Sequence, residues 1–129
     1  RILFHSPWPA EETGLVLGAA DLLILPTRGS QARVSVPSKL LAYFLSGRPV
    51  VAAAAADTEL AALVSAGGGW VVAPDDPAAL AAAVERARAE SKSCLTERGA
   101  RGRLVALTQF ARAAVLPRAV ALLEQAGSG

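Results

Sequence analysis

At 129 residues, with 53% hydrophobic and 19% charged side chains, the chain has the size and composition of one globular domain able to bury a core. A formal charge of +2 and a pI near 9.2 reflect a small excess of Arg and Lys spread along the sequence, which excludes the clustered basic footprint of a nucleic-acid binder. One cysteine, Cys94, and one histidine, His5, exclude an internal disulfide and Cys- or His-based metal centres; no metal and a reducing, cytoplasmic setting are expected.

The chain opens on Arg1-Ile2-Leu3-Phe4 without a lead-in, which reads as a strand in a piece cut from something longer. His5-Ser6-Pro7-Trp8-Pro9 ends it in an extended exit, in which His5 is a loop residue and Trp8 a packing residue. A short helix follows over residues 10–19, with Glu11 and Glu12 in the first turn, where the helix dipole favours acids. Leu22-Leu23-Ile24-Leu25 is a continuous apolar run of the kind covered on both faces. Residues 27–35, with Arg28, Gly29, Gln31 and Arg33, form a polar connection unusually long for a strand-to-helix loop, a place where function is found.

The next helix starts near Pro37 and stops at Gly47. Its first turn carries Ser38 and Lys39. Unpaired N–H groups at a helix start attract anions, and a lysine there opposes the dipole unless a ligand accepts its charge, so this segment is a candidate phosphate seat. Residues 50–54 form the third strand, after which Asp57 or Thr58 caps a helix opening with Glu59. Gly67-Gly68-Gly69 turns the chain into a fourth strand, Trp70-Val71-Val72. Asp76 as N-cap and Pro77 at the first position start an alanine-rich helix to about Ala89. Residues 91–102 read as a looser region with a helix start in it and an inert Cys94, and residues 104–125 as a largely helical tail with Pro117 as kink or break.

No strictly apolar run approaches the roughly 20 residues of a membrane span, and no signal peptide is visible. The alternation predicts an α/β fold: a parallel Rossmann-like sheet of about four strands with helices on both faces, in one domain over residues 1–129 with a helical tail at 104–126. Such sheets bind ligands beyond the carboxyl ends of their strands, the edge on which the Ser38–Lys39 seat lies.

Three motifs in order, Asp21-Leu22-Leu23-Ile24-Leu25-Pro26, then Val36-Pro37-Ser38-Lys39 with Ser46-Gly47-Arg48-Pro49-Val50-Val51, then Gly69-Trp70-Val71-Val72-Ala73-Pro74-Asp75-Asp76-Pro77, resemble the C-terminal domain of GT-B-fold group 1 glycosyltransferases of the exopolysaccharide and O-antigen type. The resemblance covers nearly the whole chain. It implies transfer of a sugar from a nucleotide-diphosphate sugar, the donor substrate, to a glycan or lipid-linked acceptor, usually with retention of configuration and with no further cofactor. It places Ser38 and Lys39 on the diphosphate, aided by backbone N–H groups from Ser35 and Val36 onward, and Thr58 and Glu59 near the ribose or donor sugar. The implied partners are the donor, an N-terminal acceptor domain of the parent chain and, through a lipid-linked acceptor, a membrane surface.

The chain also departs from that family. Two glutamates common in it are replaced here by Val34 and Ala42, which offer no acceptor to a sugar hydroxyl, and catalytic residues stay unassigned. The piece alone is expected to be inactive. A non-catalytic nucleotide-binding module and a sugar-nucleotide epimerase-like protein are the alternatives, the latter disfavoured by the scarcity of acid and base residues.

Overall fold

The computed structural model describes residues 2–4, 6, 9–28 and 38–127. A 3-10 turn at Ala10–Glu12 leads into helix α1 (Thr13–Ala19). Strand β1 (Leu23–Leu25), helix α2 (Ser38–Leu45), strand β2 (Val50–Ala53), helix α3 (Glu59–Ala66), strand β3 (Trp70–Val72) and helix α4 (Pro77–Ala89) then alternate. Helices α5 (Lys92–Gln109) and α6 (Arg112–Gly127) complete the described chain.

The sheet is parallel in the order β1-β2-β3, with Leu23 opposite Val50 and Val51 opposite Trp70. Alternation along the strands divides the core in two. Leu23, Leu25, Val50 and Ala52 face α2 and α3 with Leu40, Phe44, Leu60 and Val64, while Val51, Ala53 and Val72 face α4 through Ala83 and Leu80. Helices therefore lie on both faces, as an α/β fold with a parallel, Rossmann-like sheet requires. Because α4 lies across β2 and β3, Ile24 on the α4 face of β1 stays 39% exposed.

Three expectations are corrected. Residues 2–4 are not a strand: Ile2, Leu3 and Phe4 are 80%, 75% and 96% exposed, so the sheet has three strands among the described residues rather than about four. An apolar run becomes a strand only where a neighbour takes up its backbone hydrogen bonds, and none of the described residues does so here.

The looser region at 91–102 is instead the first half of the continuous α5, begun by Ser91, whose Oγ accepts from the Cys94 N–H at 3.2 Å. Its glycines serve close packing. A Cβ on Gly99 would overlap the Gly47 carbonyl, and one on Gly102 would come within 2.8 Å of the Phe44 ring. The third correction moves the break in the tail to Phe110 and Ala111; Pro117 sits inside α6.

Within Lys92–Leu122 an 18-residue window is also apolar enough, by length and composition, to cross a membrane, which counting strictly apolar runs did not reveal. The Phe110–Ala111 break divides it, and α5 turns Val105 and Ala106 into the core.

Candidate functional site

Each strand-to-helix connection of a parallel sheet leaves from the carboxyl edge, so the starts of α2, α3 and α4 gather there. Those of α2 and α3 share one face of the sheet and that of α4 lies on the other. At the exit of β1, the Thr27 hydroxyl donates to the Ala53 carbonyl and ties that exit to the end of β2.

Ser38 and Lys39 are the first two residues of α2 and both are exposed. What fixes them is the rest of the helix. Leu40 and Phe44 are buried, and the helix ends at Gly47, whose φ of +71° suits a residue without a Cβ and whose N–H donates to the Phe44 carbonyl at 3.0 Å. Ala42, half-buried on this helix, presents only a methyl group.

Thr58 is the N-cap of α3. Its Oγ1 accepts from the Ala61 N–H at 3.2 Å and donates to the Ala55 carbonyl at 2.6 Å, so its single proton is committed and it can only accept from a ligand. Glu59 follows, exposed, in the first turn. The fold thus brings Ser38, Lys39, Thr58 and Glu59 to one edge and one face of the sheet. Ser35 and Val36 lie outside the described residues, as do His5, Trp8, Arg33, Val34 and Pro37.

Sequence reasoning missed a recess of about 490 Å³ at the same edge but on the α4 face. Arg28 and Thr27 border it from the segment after β1, Ala53 from β2, and Ala73, Asp75 and Asp76 from the β3–α4 turn. Asp76 Oδ1 also caps α4 by accepting from the Ala79 N–H at 2.8 Å. Asp75, at φ +59°, is the single non-glycine among the described residues in the left-handed region, a conformation Asp tolerates better than most. The signal available in the sequence is the Pro74-Asp75-Asp76-Pro77 cluster, which enters the sequence reading as a helix start and as part of the third family motif, not as a lining of a recess.

The amino edge of the sheet holds structural contacts. Arg48 donates through Nη2 to the Gly18 carbonyl at the end of α1. Arg98, which the sequence did not single out, forks onto both Glu90 carboxylate oxygens at 2.7 Å. It also donates from Nη1 to the Gly68 carbonyl at 2.6 Å and lies 4.4 Å from the centre of the Trp70 ring. The hydrogen bonds from Arg98 lower the Glu90 pKa, and the same contact raises that of Arg98. Among the described residues no three His, Cys, Asp or Glu side chains gather as metal ligands.

No curated protein and no solved structure matches the chain. A family model described as Glycosyl transferases group 1 matches residues 1–90, which takes in all three strands, the starts of α2, α3 and α4, and the Arg28–Asp75 recess. That match covers more than half of the chain, and the alternation and parallel sheet are those its resemblance implied: the chain belongs to the group 1 glycosyltransferases.

Proposed function

We propose that the chain is the donor-binding, C-terminal part of a GT-B-fold glycosyltransferase of the exopolysaccharide or O-antigen type. It moves a sugar from a nucleotide-diphosphate sugar to a glycan or lipid-linked acceptor in the cytoplasm, with retention and without a metal or other cofactor. The observation that carries this reading is the pairing of the α2 and α3 starts on one face of the carboxyl edge, with Lys39 in the first turn of α2. Helix-start N–H groups and an ammonium on one face of that edge suit a diphosphate.

In this reading the α2 start and Lys39 hold the diphosphate and stabilise the charge it gains as the glycosidic bond breaks, while Glu59 and the Thr58 oxygen accept from ribose or sugar hydroxyls. The acceptor enters from an N-terminal domain of the parent chain, and a lipid-linked acceptor brings the enzyme to a membrane surface. The piece alone binds donor without transferring it.

Lys39→Ala should weaken UDP- or GDP-sugar binding by about tenfold or more, as loss of a charge-assisted contact does. Calorimetric titration checks this, with exposed Arg86→Ala on α4 as the control that leaves affinity unchanged. Equal affinities of Lys39→Ala and wild type would make the helix start structural. The second reading, a nucleotide-binding module without transfer activity, draws on the bare methyl of Ala42 on α2 and is favoured if donor binds but the parent protein releases and transfers no sugar.

A further inference from the structure

The recess on the α4 face differs chemically from the α2–α3 side of the same edge. Its charged groups are of both signs: the Arg28 guanidinium only donates, and the Asp75 and Asp76 carboxylates only accept. Its remaining wall is apolar, with Pro26, Pro77 and Leu80.

Each alternative class of ligand meets an obstacle there. Two neighbouring carboxylates disfavour a phosphate, a guanidinium repels a divalent cation, and among the described residues no aromatic ring lines the recess to stack on a nucleobase. A neutral ring whose hydroxyls both donate and accept, and whose C–H face is apolar, meets every part of it. The volume, about 490 Å³, lies in the usual range for ligand pockets.

We propose that the recess between Arg28, Asp75 and Leu80 is a saccharide subsite, with Asp75 accepting from and Arg28 donating to sugar hydroxyls. The proposal rests on the glycosyltransferase reading for its biological sense, but its chemistry stands on the recess alone. The sugar comes either from the donor, reaching over the rim at Thr27, or from the acceptor glycan.

The test is a ¹⁵N–¹H NMR titration of the 129-residue chain with methyl α-glucoside, α-galactoside and α-mannoside, with UDP-glucose and GDP-mannose, and with bare UDP and GDP. The amides of Ala53, Ala73 and Leu80 should shift saturably. A response to a free glycoside assigns the recess to the acceptor; a response to a nucleotide sugar beyond that to the bare nucleotide assigns it to the donor. In both cases Asp75→Asn, which keeps the left-handed turn, and Arg28→Gln should weaken the response by about tenfold.

Silence of these amides toward every sugar, or shifts undiminished in both variants, overturns the proposal. The donor reading is scored separately on the Ser38, Lys39 and Glu59 amides with bare nucleotide. Their silence beside a responding recess would sink that reading and leave the saccharide subsite standing.

Discussion

Arg98 joins three parts of the chain with one side chain: the α4–α5 turn through Glu90, the glycine turn before β3 through the Gly68 carbonyl, and β3 itself through Trp70. Removing it as Arg98→Ala should lower stability by about 1–2 kcal/mol, the scale of one lost hydrogen bond plus a partly desolvated cation–π contact. Urea unfolding followed by Trp70 fluorescence measures this. The Glu90 partnership also sets a pH dependence. Because the Glu90 pKa is lowered in the folded state, its contribution is complete above the pKa of an unfolded glutamate and is lost as pH falls through the folded value. Glu90→Gln should therefore flatten the acid-side decline of stability while changing little of its slope above neutrality, as unfolding midpoints measured from acid pH to about pH 9 would show.

Among the elements, α5 shows how packing overrides propensity. Gly99 and Gly102, three residues apart, would each weaken a helix in isolation by about 1 kcal/mol. In the fold they let α5 lie directly on the end of α2. Gly99→Ala should cost about 1–3 kcal/mol despite its gain in helix propensity, because its methyl would meet the backbone carbonyl of Gly47. Gly102→Ala should cost less, since its methyl would come within 2.8 Å of the buried Phe44 ring, a milder overlap than the one Gly99→Ala makes with backbone. By contrast, a Cβ on Gly14 in α1 would have no neighbour within 4 Å, and Gly14→Ala should stabilise by about 0.5–1 kcal/mol. Thermal unfolding of the three variants gives their order.

The elements whose signals are local were legible in the sequence. Thr58 and Asp76 cap the helices read for them, and the runs at 22–25, 50–54 and 70–72 form strands to within a residue. Features that depend on contacts across the chain were not legible: the exposure of residues 2–4, the continuity of α5, the fork of Arg98 and the recess under Arg28. The site was legible as far as Ser38, Lys39, Thr58 and Glu59 share an edge, a consequence of parallel topology. That the Thr58 proton is already committed was not, since a cap and a ligand contact call for the same residue type.

For the molecule as a whole, α6 stands apart. Its Val115, Leu116, Val120 and Leu122 are 42–66% exposed, and Phe110, packed against the core, marks where the chain leaves it. These side chains form an apolar face that no described residue covers. Truncation after Ala111 should therefore leave the unfolding midpoint of the remainder almost unchanged, within about 0.5 kcal/mol, as expected when little buried surface is lost. A large loss on chemical denaturation would show that α6 supports the core.

The clamp between Gly47 and Gly99 has a consequence at the opposite end of α2. With its last turn held against α5 and Leu40 and Phe44 locked in the core, α2 is a rigid strut, and Lys39 rides on its far end. If this helix start seats a diphosphate as proposed, α2 is in place before the ligand arrives, and occupancy requires little reordering of the helix backbone. Its calorimetric signature is a small heat-capacity change on nucleotide binding, unlike the large negative one of a site that folds around its ligand. Loosening the clamp with Gly99→Ala should then weaken nucleotide binding from the other end of the helix, without touching any group that meets the ligand.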